Sequence, residues 1–409
     1  MGEDAAEFPR LGQQAAARGA RRQAVATPAK ACDHSPDSWS SREHSCVSAE
    51  TTRDWARVGA SGSQGAASGA GRRAPSPPAG PPPARAAGTL GQLHRWGPGA
   101  DQPAPSHAEA LAYLRQLTTS HYENFSVLSR LVPLDLRDDF AAVYAFCRWS
   151  DDLGDETGAD DAARERSLRL LAWWRSELAD CAEAAAVGKP YPGRHPVFVV
   201  LADTMRRRAL SAQPFHDLVS AFEQDQRVAR YETWEQLLGY CRLSADPVGR
   251  IVLALAGHAG DKPGDAERLA MSDATCTALQ LTNFWQDVRR DLFERGRVYL
   301  PSALTGLDAQ TLREWAERPR DAQARVAFIR ALRPLVERTH ELFSQGRPLP
   351  ATLEPSIAPV VWLFGAGGRS VLRAVERAGC ATLWTRPTLS KPRKAALVLR
   401  ASIGLWRRA

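Results

Sequence analysis

The 409 residues are 44% hydrophobic and 24% charged, enough for one large domain or two modest ones with a full core and too many for a peptide scaffold. Seven cysteines, odd in number and without a C-x-x-C pair, argue against a disulfide framework or zinc cluster and fit a reducing compartment. The net charge of +7 belongs to the two ends: residues 1–100 hold 12 basic against 8 acidic side chains, residues 386–409 hold 7 against none, and residues 101–385 hold 34 against 38. A slightly acidic body has no broad positive surface for a phosphate backbone, so nucleic-acid binding is set aside.

No apolar run reaches 18 residues, and no compact apolar stretch opens the chain. Neither a membrane span nor a secretory signal is read, and a cytoplasmic protein is expected, at most peripheral to the inner face of the membrane. The first 100 residues contain 13 Gly and 10 Pro but only seven Ile, Leu, Val and Phe together. Residues 1–104 therefore read as a disordered Ala/Gly/Pro/Arg-rich extension, whose composition suits a docking arm and a misassigned start codon alike.

From Ser106, which forms a capping box with Glu109, apolar residues recur at helical spacing. Helices are predicted at about 136–156, 162–184, 196–208, 214–227, 233–257, 265–294, 322–346 and 355–379, with Pro247 kinking or breaking the fifth. No convincing strand pair and no solenoid repeat occurs, so residues 105–385 read as one all-α bundle.

The first chemical signal is the helix DFAAVYAFCRWSDDLGDE, from Asp139 to Glu156. It places Tyr144, Arg148, Asp151, Asp152 and Asp155 on roughly one face. Carboxylates one turn apart repel each other, and a bound cation relieves that cost. The second is LQLTNFWQDVRRD, where Gln280, Asn283, Asp287 and Asp291 form a polar stripe flanked by Leu281, Phe284, Trp285 and Val288. Either cluster alone fits a solvated helix face equally well; their joint occurrence points to a metal site in a bundle. Two opposed carboxylate faces suit Mg²⁺, which takes oxygen ligands and bridges protein carboxylates to substrate phosphates. Arg148, Arg289, Arg290 and Arg297 are the cations available to a diphosphate, whose ionisation such a site would assist.

The stretches YAFCRWSDDLGDE and LTNFWQDVRRDLFERGRVYLP, with HYENFSVLSRLVP upstream and YCRLSADPVGRIVLAL between them, resemble the squalene and phytoene synthase family. Within it they are most similar to the bacterial hydroxysqualene synthases of hopanoid pathways. The resemblance covers about residues 107–400 and implies an all-α isoprenoid synthase bundle that uses Mg²⁺ on prenyl diphosphates. By position it implies Asp151, Asp152 and Asp155 as the first metal motif, and Asn283, Asp287 and Asp291 as the second. Tyr144 and Arg148 match the aromatic and diphosphate-binding positions before the first motif, Phe125 an aromatic at the mouth of the site, and Tyr240 the tyrosine that opens the intervening segment. Gln280, Arg290 and Arg297 join the expected substrate-binding set. Tyr122 and Asn124 stand where many relatives carry diphosphate-binding serines, a departure that weakens a second diphosphate site.

The intervening segment departs too, with Arg242, Ser244 and Asp246 in place of small apolar residues; relatives favour Asn at the position of Asp246. Such a polar segment suits the admission of a water, with Asp246 as a catalytic residue, or merely holds a kinked backbone. The resemblance implies conversion of presqualene diphosphate and water to hydroxysqualene and diphosphate. The alternatives are condensation of two farnesyl diphosphates to presqualene diphosphate or squalene, phytoene synthesis, and an assembly protein of the same fold, which intact acid faces disfavour. Reductive squalene formation lacks a dinucleotide-binding loop, and a terpene cyclase is disfavoured by the N-x-x-x-D-x-x-x-D spacing. Other enzymes of the squalene pathway are natural partners. Residues 386–409 form a basic amphipathic segment with Ala395, Val398, Leu399, Ser402, Ile403 and Trp406 on one face, suited to an anionic membrane or to packing on its own domain.

Overall fold

The computed structural model describes residues 88–120, 131–158 and 160–404. Among them all regular structure is helical, apart from one isolated bridge between Arg230 and Val298. In chain order the helices are α1 (Leu93–Trp96), α2 (His107–Ser120), α3 (Arg137–Asp155), α4 (Asp161–Val187), α5 (Pro196–Arg208), α6 (Gln213–Asp225), α7 (Trp234–Ser244) and α8 (Asp246–Leu255). There follow α9 (Asp265–Gln286), α10 (Val288–Glu294), α11 (Ser302–Thr305), α12 (Ala309–Ala316), α13 (Ala322–Gly346), α14 (Ala358–Arg377) and α15 (Lys391–Ser402).

Local chemistry sets the ends of these helices. Ser106 and Glu109 exchange backbone and side-chain hydrogen bonds ahead of α2, at 2.9 and 3.3 Å, as the capping-box spacing predicts. Asp160 caps α4 by accepting from the Ala163 amide at 2.7 Å, and Thr233 with Gln236 forms a full capping box on α7. The predicted segment 233–257 is two helices joined at Ala245, because Pro247 cannot donate to the preceding turn.

Three apolar cores stabilise the described residues, a smaller one around Ile357, Val360 and Trp362 and two larger, aromatic-rich ones. One gathers α2 to α6 around Trp149, Trp174, Phe146 and Phe198, with the Trp149 and Trp174 rings stacked 5.7 Å apart. The other gathers α7, α9, α12 and α13 around Leu281, Trp285, Phe328 and Phe343. Along α9 two neighbouring helices pack closely enough that glycine is required. A Cβ on Gly346 would lie 1.9 Å from Thr275 Oγ1, and one on Gly249 would lie 2.3 Å from Ser272 Oγ, so α13 and α8 approach α9 at the backbone.

Both expected domain boundaries move. Folded chain extends back to Gly88: a short 3₁₀ turn, Thr89–Gln92, leads into α1, and Thr89 and Trp96 are buried. The expected extension otherwise lies outside the described residues. At the other end, Pro387 accepts from the Gln286 amide at 2.6 Å, and α15 rests on α14, with Ala401 buried and the Arg400 guanidinium 5.6 Å from the Trp362 ring centre. The C-terminal segment is thus seated on the same domain, and composition alone misplaced its boundary because a basic helix can pack through one narrow stripe. That stripe is Leu397, Val398 and Ala401; Leu399 and Ile403, from the predicted apolar face, remain exposed. Trp406 lies outside the described residues. No helix among the described residues is long and apolar enough to cross a membrane.

Candidate active site

Between the two larger cores lies a cavity of about 180 Å³. α3 enters it from one side. Its apolar face is pinned by Phe146 and Trp149, so the opposite positions Asp151 and Asp155, one turn apart, both line the cavity. α9 and α10 enter from the other side and contribute Gln280, Asn283 and Asp291. α6 adds Asp225, which the sequence reading missed. Its signal was there: Asp225 continues the apolar stripe of Leu218, Ala221 and Phe222, where a solvated acid has no place.

Two guanidiniums hold these acids together. Arg295 lies 3.3 Å from Asp155 and 4.0 Å from Asp291, while Arg297 lies 3.4 Å from Asp155 and 3.4 Å from Asp225. Arg295 was also missed, and Gly296, at φ 65°, makes the turn that aims both arginines inward. The Tyr240 hydroxyl donates to Asp225 Oδ2 at 2.9 Å, and Tyr240, Tyr299 and Phe284 form an aromatic wall in which the last two stack 3.8 Å apart.

Charge remains in excess. Four carboxylates face two arginines, and one oxygen each of Asp225 and Asp291 is buried without a hydrogen-bond partner. Burial above all lifts the Asp291 carboxyl to about 7 and that of Asp225 to about 6, and burial with the adjacent Asp155 charge pushes Asp151 up as well. Unpartnered carboxylate oxygens in an acid-rich pocket fit a divalent cation. No three acidic, His or Cys side chains among the described residues are close enough to enclose one ion by themselves. A cation here would need ligands beyond these side chains, as Mg²⁺ does where it binds through one or two carboxylates with phosphate and water.

Other expected ligands lie elsewhere. Asp152 is fully buried on the far side of α3, 2.5 Å from Arg148 and accepting from the Thr89 hydroxyl. A step of one residue turns a side chain about 100° around a helix, so Asp152 cannot share the cavity with Asp151. Arg148 is spent on Asp152 and on Glu156, 3.2 Å away, and reaches the cavity only through Asp151 at 3.9 Å. Tyr144 stands on α3 one turn before Arg148. Asp287 falls at the break between α9 and α10 (φ −106°, ψ 17°), and its carboxylate is held by Arg386 at 2.5 Å. It lines a separate cavity of about 370 Å³ together with Arg289, Arg290 and Arg386. Arg290 is therefore on that side too, paired with Glu294 at 3.2 Å, and Arg289 lies over Phe293.

Asp246 does not line the acid cavity. It accepts from the Thr277 hydroxyl at 2.8 Å behind the wall, where burial raises its carboxyl to about 7. Its neighbour Ser244 does line the cavity. Tyr122, Asn124 and Phe125 lie outside the described residues.

An all-helical bundle closing on an acid-lined, aromatic-walled cavity defines a class that known proteins share. Residues 118–393 match the squalene/phytoene synthase family model, and the chain belongs to that family of prenyl-diphosphate-processing enzymes. It is 32% identical to the hydroxysqualene synthase of Rhodopseudomonas palustris over 59% of this chain and 75% of that one. It is 39% identical to the crystal structure of squalene synthase HpnC from Alicyclobacillus acidocaldarius, with a TM-score of 0.55 over 67% of this chain and 95% of that one. The phytoene synthase of Arthrospira platensis is 29% identical over 66% of this chain and 85% of its own.

Proposed function

We propose that this chain is a Mg²⁺-dependent hydroxysqualene synthase, which converts presqualene diphosphate and water to hydroxysqualene and diphosphate. The observation that carries the reading is the cavity itself, with four carboxylates at one end and an aromatic and apolar wall beside them. The branch within the family rests on the likeness to a hydroxysqualene synthase and to HpnC.

Asp151, Asp155, Asn283 and Asp291, with Asp225 beside them, would hold the metal, whose chemistry is to neutralise charge that develops on a departing diphosphate. Arg295 and Arg297 already bridge the acids and offer planar donors to the same phosphate oxygens. Tyr240 keeps Asp225 oriented. Phe284, Tyr299 and Phe222 exclude bulk water and present aromatic faces to a carbocation. The reaction adds one water, so the wall must be dry but not wholly apolar.

The test is incubation of the purified protein with presqualene diphosphate and Mg²⁺, without NADPH, and mass spectrometry of the extracted lipid. Hydroxysqualene that vanishes with EDTA is the expected result. Untouched presqualene diphosphate alongside consumption of farnesyl diphosphate would replace this reading with the condensation that the phytoene synthase likeness favours.

We also propose that α15 touches an anionic membrane, where a water-insoluble product is released. Leu399 and Ile403 are exposed next to Lys391, Arg393 and Arg400, and residues 386–409 contain no acid. Co-sedimentation with vesicles containing anionic lipid should fall when Leu399 and Ile403 are both replaced by Ser; unchanged sedimentation would reject the contact.

A further inference from the structure

The acid cavity has a second, uncharged end. Along α6 its lining runs from Leu218 through Phe222 to Asp225, and along α9 from Gln280 through Asn283, with Asp291 supplied by α10, so in both directions the charge lies toward the later residues. On α7, Tyr240 hydrogen-bonds Asp225, and Ser244 stands one turn beyond Tyr240, about 6 Å further along the helix axis. The Ser244 hydroxyl is buried, lines the cavity and has no hydrogen-bond partner. Gln280, on the facing helix, also lines the cavity and has no hydrogen bond among the described residues. The buried Ser244 hydroxyl, left unmatched beside Leu218, Ala221 and Phe222, costs about 1–3 kcal/mol, while the partly buried Gln280 amide offers a second polar group on the same cavity. Such pairs are satisfied by a small polar molecule held between them.

We infer that Ser244, facing Gln280, holds the water that traps the carbocation, and so decides whether the product is an alcohol or a hydrocarbon. This rests on the reading of the protein as a hydroxysqualene synthase. The carbon–oxygen bond to diphosphate breaks and its electron pair leaves with the diphosphate. The rearranged cation then accepts a lone pair from the bound water, and the proton that the water loses passes to the released diphosphate. Without an aligned water the same cation quenches by losing a proton from carbon, which gives a C30 hydrocarbon with an additional double bond. Asp246 serves differently: bound to Thr277 behind the wall, it anchors the start of α8 directly after Ser244 and fixes where the hydroxyl points.

The experiment compares wild type, Ser244→Ala and Ser244→Thr with presqualene diphosphate and Mg²⁺, reading the ratio of alcohol to hydrocarbon and the optical purity of the new carbinol carbon. Losing one oriented hydrogen bond should lower the alcohol-to-hydrocarbon ratio about fivefold or more in Ser244→Ala, with Thr restoring it. An unchanged ratio and unchanged optical purity in Ser244→Ala would overturn the inference while leaving the parent reaction standing. Ser244→Gly carries the same comparison if the Ala variant does not fold. Absence of alcohol from folded wild type would instead defeat the parent reading, and this inference with it.

Discussion

The two acid-bearing helices look alike in sequence but reach the cavity by different routes. In α3 the split is a matter of helical phase. Asp151 and Asp155 share a face and Asp152 does not, so Asp152 is left to Arg148 and Thr89. In the second helix Asn283, Asp287 and Asp291 are spaced for one face, yet the break at Asp287 turns that carboxylate to Arg386 while its neighbours remain in the cavity. Each side thus sends some acids inward and ties another to an arginine outside. On the first side the pattern follows from 3.6 residues per turn; on the second it depends on a distortion and on a C-terminal arginine 99 residues away.

The comparison breaks most sharply at the inward acids. Asp151→Asn and Asp291→Asn should each reduce product formation by about 100-fold or more, since each removes charge from the ionisation site. Steady-state turnover with saturating Mg²⁺ is the measurement, and a loss below tenfold would remove that residue from the site. Asp152→Asn and Asp287→Asn should cost about tenfold, as expected of supporting groups. A loss at Asp287 equal to that at Asp291 would mean that the loaded site draws this carboxylate away from Arg386, and Arg386→Gln would then raise Mg²⁺ affinity in a titration.

The smallest effect concerns Asp246. Its folded-state pKa, about 7, lies above the unfolded value of about 3.9, so the neutral form is favoured on folding. Its contribution is therefore fully present below about pH 4 and is lost as pH rises through 7. Asp246→Asn mimics the neutral acid and keeps an oxygen for Thr277. Its melting temperature should exceed that of wild type by more at pH 8 than at pH 5, the two converging only below about pH 4. An equal difference at both pH values would show that Asp246 is not the titrating group.

Much of this molecule was legible in its sequence, for identifiable reasons. Long apolar periodicity delivered the helices, and Pro247 delivered the break between α7 and α8. Tyr240, Asn283, Asp291 and Arg297 fell where the motif reading expected site residues. Asp225 and Arg295 escaped because neither sits in an acid-rich run; one ends an otherwise apolar stripe and the other precedes a glycine turn. Ser244 and Asp246 are two residues apart in one polar segment, and nothing local says which of them faces the cavity.

By itself the sequence determined the helical class, the acidic chemistry and the family, because these depend on periodicity and on residue types within a few turns of each other. Tertiary structure decided which carboxylates meet. That choice turns on the phase at which each helix docks, on the pause at Asp287 and on partners such as Thr89 and Arg386, which lie 63 and 99 positions from the acids they hold. Contacts of that range are fixed only when the two larger cores close around the cavity, since local spacing carries no information about what will face a side chain across a packed interface.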